Sequence, residues 1–403
     1  NAERVPPDQI HQPPGKTHFI PHKGVRHPRK PSIRVVFDTA AKTNGKSLCT
    51  ESYSGPDVLN NLCGVLLRFR QKAVPVIGDL WQFYHSVCLP AKYTDYFRFF
   101  WFQNPNDPSS PVVEFRLTRH LFGGIWSQSV CSHALDCAIA DAANTKVITQ
   151  EEAEFIRRSL YSDDYTRSFP TTDEAKDSML KFIRFLEKSG FKLAKIATPE
   201  PELFESFPED IRAENEDDKH RPPAAATVLG VKWNLVTDSL HYQAPNTDRK
   251  INTKRELLSL VAGIFDPVGL IACITTPGKF LVQLCFREGL RWNDVLPEHL
   301  QLKVNEWIGR VKSIGEGSSD PNKVSSLAIC SIYPRRLTTL TVERPTFELH
   351  VFADASQFIY AVIAFVRSVS PDGVIDVQPV LAKTRLAPIK GLSIPRLELC
   401  ACV

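Results

Sequence analysis

The sequence predicts an α+β protein with more than one domain, and three observations carry that expectation. Amphipathic runs at helical spacing alternate with short runs rich in β-branched and aromatic residues. Many of the strand-like runs come in pairs around turn residues, which favours antiparallel neighbours over a parallel sheet. Composition then shifts near 315–323 (GEGSSDPNK), a linker after which strands resume. A chain of 403 residues that is 43% hydrophobic and 23% charged can bury a sizeable core.

The elements follow in order. Prolines at 6, 7, 13, 14, 21, 28 and 31 block regular helix, so residues 1–32 are expected to be an extended arm. IRVVFD reads as a strand. PDVLNNLCGVLLRFRQ, from Pro56, reads as a helix, with Leu59, Leu62, Cys63, Leu66 and Leu67 on one face and Pro56 in the first turn. AVPVIGDL is a short apolar strand ending at Asp79. DYFRFFWFQ and VVEFRLTRHLF flank the turn NPNDPSSP and form a hairpin. Residues 127–143 and 150–159 are helical, and SLYSDDYTRS places two short strands around an Asp-Asp turn. DEAKDSMLKFIRFLEKSG is an amphipathic helix closed by Gly190, and KLAKIA is a strand. Residues 199–223, with nine Asp/Glu between Glu200 and Asp218, are expected to be a flexible loop or insertion. TVLGVKWNLVTDSLHY alternates as a hairpin, and 253–312 is helical with a break at DPVGL. FELHVFADAS, IYAVIAFVRS and VQPVLAKTRL are strands.

Composition excludes several classes. No apolar run reaches the roughly 18 residues of a membrane span. The polar, proline-rich start NAERVPPDQIHQPPGK is no signal peptide and has no initiating Met, so the chain is expected to be cut from something longer. The ten cysteines show no zinc-site spacing and are expected to be buried free thiols in a reducing compartment. Net charge is only +4, but residues 1–34 hold Arg4, Lys16, Lys23, Arg26, Arg29, Lys30 and Arg34 against Glu3 and Asp8. Such an arm suits a polyanion through phosphate contacts, and a solvated tail is the plainer alternative.

The strongest local chemistry is Tyr161-Ser162-Asp163-Asp164 between two strand-like runs. Adjacent carboxylates at a hairpin tip repel, and a divalent ion offsets that cost; hard oxygen ligands at a partly open site favour Mg²⁺. Asp79, at the end of an apolar strand, is the candidate third carboxylate of a two-metal site for phosphoryl transfer. A simple turn-initiating Asp-Asp pair is the alternative on these residues alone.

Taken together, the segments RVVFDTAAK (34–42), GPDVLNNLCGVLLRFRQ (55–71), VIGDLWQFYHSV (76–87), RHLFGG (119–124), YSDD (161–164), GFKLAK (190–195), LGVKW (229–233), TKRELLSLVAGIFDPVGL (253–270) and KTRLAPIKGLSIPRLEL (383–399) resemble, in order, the reverse transcriptase region of BEL/Pao long-terminal-repeat retrotransposons. The resemblance runs from about Lys16 to Val403. It implies a right-hand polymerase (fingers, palm, thumb) followed by the start of a ribonuclease H-like α/β domain. The implied layout is a basic proline-rich arm at 1–32, fingers and palm at 33–244, a helical thumb and connection at 245–322, and a truncated ribonuclease H-like domain at 323–403. Asp79, Asp163 and Asp164 match the polymerase carboxylates that hold two Mg²⁺, for which Mn²⁺ can substitute. Tyr84 matches the aromatic that stacks under the incoming sugar, Arg34 a finger arginine on the triphosphate, and Gly123 a glycine where backbone approaches the nucleotide. Lys195 matches a lysine that protonates the leaving pyrophosphate. Asp354 in HVFADAS and Glu398 in IPRLEL match the first two carboxylates of ribonuclease H, whose further acids would lie beyond Val403. The implied partners are an RNA template, a DNA primer, their hybrid, deoxynucleoside triphosphates and the rest of a polyprotein with protease and integrase. The implied location is the cytoplasm, in a virus-like particle.

Three features depart from the family pattern. Gln128 stands where proline is usual and Trp126 where a small residue is usual. The turn past Asp79 reads LWQFYHSV, where an acidic residue and a Gln are common, and Ser162 replaces Val or Met in the YxDD box. They put the shape of the nucleotide pocket in question and leave open a decayed, non-catalytic nucleic-acid-binding copy. A further alternative, an aspartic-type Pao peptidase region, rests on FDTAA at 37–41, where Ala40 replaces the glycine of an Asp-Thr-Gly box.

Overall fold

Side chains at element ends decide where helices begin. The helix expected from Pro56 starts only at Leu62 and runs Leu62–Phe69, because Asn61 caps it by accepting from the Gly64 amide at 3.0 Å. The Asp57 carboxylate meanwhile accepts from the Leu59 amide, and these Asx bonds compete with helix. Thr253 and Glu256 close a reciprocal capping box that starts Lys254–Gly263. Gly190, at φ +83°, ends Thr172–Lys188.

The structure is a computed structural model and describes residues 1–13, 15–26, 33–215, 218, 220–243, 245–248, 250–312, 332–340 and 345–403. The linker expected at 315–323 and Arg29 and Lys30 of the basic arm lie outside the described residues. The chain divides into two compact units, one of Asn1–Asn60, Gly78–Tyr165 and Lys176–Ile196, the other of Asn61–Ile77, Thr166–Ala175 and Ala197–Val403.

In the first unit Arg98–Phe102 and Val112–Leu117 form the expected antiparallel hairpin, with Arg98 opposite Arg116. Ala2–Arg4 adds to the other edge of Val112–Leu117, and His22–Arg26 pairs with Ile33–Phe37. The expected arm is therefore extended but docked rather than free. Fully buried Arg98 ties it down: its guanidinium pairs with Asp95 and Glu114 and donates to the Gln9 and Ile10 carbonyls. Ile20, Leu89, Phe97, Leu117 and Leu121 pack beside it. The helices Ser127–Asn144 and Gln150–Arg158 precede a four-stranded sheet in the order Leu160–Tyr161, Asp164–Phe169, Val74–Leu80, Leu193–Ala197. The ends of those strands that carry the acids belong to this unit.

The second unit has one large core, with Trp233, Leu257, Ile271, Leu300 and Trp307 among its buried members. Ala225–Val228, Val231–Asn234, Ser239–His241 and Ile332–Pro334 form one antiparallel sheet, so the expected hairpin gains two strands. Residues 199–223 are not simply a flexible loop. They hold a short helix, Pro201–Glu205, and bury Leu203, Phe204, Phe207 and Ile211, since four apolar residues among the acids suffice to anchor the stretch. The helices Lys254–Gly263, Ala272–Arg287 and Glu298–Lys312 come next, then Thr346–Ala355, Ile359–Val369 and Ile375–Leu386 as an antiparallel sheet, and the helix Ile394–Cys402.

The DPVGL break docks on that last sheet. The Ala382 amide donates to the Val268 carbonyl at 2.9 Å, and a Cβ on Gly269, itself at φ +76°, would stand 1.8 Å from the Ala382 oxygen. Arg335, fully buried, pairs with Asp238 and donates to the carbonyls of Phe69, Lys72 and Ala73. The described cysteines form no disulfide. Cys131 and Cys285 are buried as expected, whereas Cys88, Cys137, Cys273, Cys400 and Cys402 are exposed, because their helix and loop positions face outward. No described helix is long and apolar enough to cross a membrane.

Candidate active site

Hydrogen bonding between strands brings the acids together. Asp79 precedes Leu80, whose amide donates to the Asp163 carbonyl at 2.8 Å, and Asp164 opens the neighbouring strand. The turn between the short strands is tight: Ser162 sits at φ +56°, a left-handed conformation unusual for a residue with a Cβ. Burial, then the charges of Asp163 and Asp79, push the Asp164 carboxyl up to about 6, with Lys195 opposing them. The three carboxylates thus feel one another.

Lys195, also at positive φ, forms an ion pair with Asp79. That contact was not foreseen in the sequence, although the order of the sheet, which sets the Lys195 strand beside that of Asp79, is what produces it. Among the described residues no group of three His, Cys, Asp or Glu side chains is already arranged to hold a metal. The donor set nevertheless fits a hard dication: three carboxylates, one of them raised by burial and then by the other two, with the Lys195 ammonium paired to Asp79.

Arg34, Asp79, Tyr84, Asp163 and Lys195 line one cleft of about 850 Å³ within the first unit. Its lining also includes an aromatic wall of His22, Phe37, Phe99, Trp101 and Phe115. His22 packs on Phe37, Phe99 and Trp101 at centroid distances of 5.4, 5.5 and 5.2 Å. Sequence reading missed this wall, since its members come from four strands, two of them early in the chain and two much later. The Arg34 guanidinium lies 5.9 Å from the Phe122 ring centre. The next residue, Gly123, has φ +91° and nothing within 4 Å of a would-be Cβ, so its backbone is open to a close approach.

The departures from the family pattern have definite places. Trp126 turns away from the cleft. Its ring packs edge-on against Phe97 at 5.9 Å and lies so close over Gly124 that a Cβ there would stand 2.7 Å away. Gln128 accepts from the Tyr84 hydroxyl at 2.7 Å and from the Ser162 hydroxyl at 2.9 Å. Burial raises the Tyr84 phenol, with Asp163 adding to the effect, so Tyr84 stays a neutral donor.

Asp354 and Glu398 lie in the second unit. Asp354, exposed on Thr346–Ala355, accepts from the neighbouring Ala355 amide at 2.8 Å, and Glu398 is exposed on Ile394–Cys402. No hydrogen bond or ion pair joins the two among the described residues.

Comparison with known proteins bears on the family and the fold. Residues 253–403 match the family model of the Pao retrotransposon-like RNaseH-like domain. Over those residues the chain is similar to that family. The Pao match begins inside the stretch expected to be helical thumb and connection. No curated protein matches the chain in sequence. Among solved structures, the foamy viral protease-reverse transcriptase in complex with an RNA/DNA hybrid superposes with a TM-score of 0.52 at 14% identity, covering 96% of this chain and 42% of that one. The foamy viral protease-reverse transcriptase dRH in complex with double-stranded DNA superposes with a TM-score of 0.54 at 14% identity, covering 95% of this chain and 54% of that one. The chain thus spans about half the length of these neighbours. The fold is a mixed α/β one resembling retroviral reverse transcriptase structures.

Proposed function

We propose that the first unit is the catalytic part of an RNA-directed DNA polymerase, extending a primer 3′-hydroxyl from deoxynucleoside triphosphates on an RNA template. The observation that carries this reading is the single cleft shared by Arg34, Asp79, Tyr84, Asp163 and Lys195, residues that are distant in sequence. Asp79 and Asp163 in its lining, with Asp164 next to Asp163 in the Asp-Asp turn, are the ligands for Mg²⁺ or Mn²⁺. When bound, such ions lower the pKa of the primer hydroxyl and neutralise charge on the triphosphate. Arg34, in the same lining, offers a planar fork to phosphate oxygens. Gly123 leaves room for the nucleotide against backbone, and the Tyr84 ring forms the floor under its sugar. Lys195, paired with Asp79, would give a proton to departing pyrophosphate.

In this reading residues 33–244 supply fingers and palm and 245–322 a thumb and connection. The 323–403 region, with Asp354 and Glu398, is part of a ribonuclease H-like domain for the RNA–DNA hybrid, within a polyprotein that also carries protease and integrase. Primer extension on poly(rA)/oligo(dT) with Mg²⁺ tests the proposal. Incorporation by the intact chain that vanishes in Asp79→Asn supports it. Template–primer binding without any incorporation, across Mg²⁺ and Mn²⁺, favours a non-catalytic copy instead.

A further inference from the structure

The two polar departures beside the acids, Gln128 and Ser162, touch each other. Gln128 is the second residue of Ser127–Asn144, so its side chain reaches back over the start of the helix towards the Asp-Asp turn. Its Oε1 has two lone pairs, and both are used: one accepts from Tyr84 at 2.7 Å, the other from Ser162 at 2.9 Å. The amide nitrogen donates to the Ser132 hydroxyl one helical turn further on, at 2.8 Å, which fixes the amide's orientation. Every strong hydrogen-bonding direction but one N–H of this amide is therefore spent on holding three hydroxyls. The Cys131 thiol, pointing at the Tyr84 carbonyl at 3.9 Å, closes the same corner.

We infer that Gln128 is a positioning residue that couples the Tyr84 ring to the Ser162 turn, and so sets sugar discrimination and the placement of Asp163 through one amide. The coupling to the sugar rests on the polymerase reading above; the hub itself does not. Ser162 stands at φ +56° and is followed directly by Asp163, so a bond that fixes the Ser162 side chain fixes the backbone from which Asp163 projects. Tyr84 lines the cleft, and its hydroxyl is tethered at the far end of the ring, which fixes the ring plane at the cleft wall. Neither proline at 128 nor valine at 162 could make these bonds. The two substitutions therefore act as a pair, replacing packing at this corner with a hydrogen-bonded cluster.

Three variants of the full chain test this: Gln128→Met, which keeps length but loses the acceptor; Tyr84→Phe, which removes one oxygen only; and the double variant. The first readout is amide hydrogen exchange, which needs no activity. Gln128→Met should speed exchange across 161–164 by about tenfold while leaving the rest of the first unit unchanged. Unchanged exchange at the turn would overturn the hub. The second readout is the ratio of kcat/KM for a ribonucleotide to that for its deoxy counterpart. Each single variant should raise it at least about threefold, and the double variant no further, because both remove the same bond. A ratio that stays constant while both rates fall, or single effects that multiply in the double variant, would overturn the coupling to the sugar. Absence of primer extension in the unsubstituted chain would count against the polymerase reading alone, with exchange still deciding the hub.

Discussion

Replacing Asp164 by Asn should stabilise the metal-free protein at pH 8 while abolishing activity. The Asp164 carboxyl is raised from 3.8 to about 6 by burial first, then by Asp163 and Asp79, with Lys195 opposing. At about 1.4 kcal/mol per pH unit, that rise corresponds to ~3 kcal/mol of unfavourable free energy in the ionised folded state. The sign follows from linkage. The folded carboxyl binds its proton more tightly than the unfolded one, so this group's contribution favours the fold below about pH 4 and is lost as pH rises through about 6. Asn is neutral throughout and lacks the penalty, though it forfeits some hydrogen bonding, so a net gain of about 1–3 kcal/mol is expected at pH 8. Urea denaturation of both proteins in EDTA, from pH 4 to pH 8, measures the difference between them. The gap should open between pH 4 and 6 and then level off. Added Mg²⁺ should stabilise the unsubstituted protein and not the variant. A variant that is less stable at pH 8, or a gap independent of pH, would refute the repulsion argument.

Other outcomes follow from the same geometry. Asp163→Asn should abolish Mg²⁺-dependent primer extension while filter binding of template–primer stays nearly intact, because affinity comes from Lys/Arg contacts to phosphates. Tyr84→Val should raise ribonucleotide use relative to deoxyribonucleotide use by about tenfold, equivalent to ~1.4 kcal/mol in the barrier, read as a ratio of kcat/KM values. Arg335→Ala should cost about 3–5 kcal/mol in denaturant unfolding, since it strands Asp238 and the carbonyls of Phe69, Lys72 and Ala73. Gly269→Ala should destabilise by more than ~1 kcal/mol in the same assay: the added Cβ meets the Ala382 oxygen at 1.8 Å and the φ of +76° is wrong for alanine.

What could be read in the sequence was what local chemistry determines. The Asp-Asp hairpin, the helix closed by Gly190 and the strands after 345 follow from turn residues and periodicity, and they stand where expected. The Pro56 start failed because periodicity alone cannot weigh Asp57 and Asn61 making their own backbone bonds. The acidic stretch after Glu200 misled because its charge concealed four anchoring apolar residues. At the cleft, single residues could be proposed one by one, but contacts between sheet neighbours were invisible. Lys195 on Asp79 needs the strand order, and Gln128 under Tyr84 needs the helix to start at Ser127. Trp126 and Gln128 looked equally disruptive as letters. One turns into the core over Gly124, while the other becomes the centre of a polar cluster.

Charge balance ties the ion pair to the proposed chemistry. With Asp164 ionised above about pH 6, three carboxylates face one ammonium, leaving two uncompensated negative charges around the turn. A single dication would cancel them without moving Lys195. A second dication would need a further negative group, which a triphosphate brings with it, and would compete with Lys195 for Asp79. Nucleotide binding, metal binding and release of Lys195 are therefore linked events, each made more favourable by the others. Lys195→Met should then tighten Mg²⁺ binding to the nucleotide-free protein, because it removes the competing cation, yet slow turnover if Lys195 also serves the leaving group. Calorimetric titration with Mg²⁺ alone, set beside single-turnover kinetics, separates the two roles. Weaker Mg²⁺ binding in that variant would show that the lysine supports the acid cluster instead of competing for it.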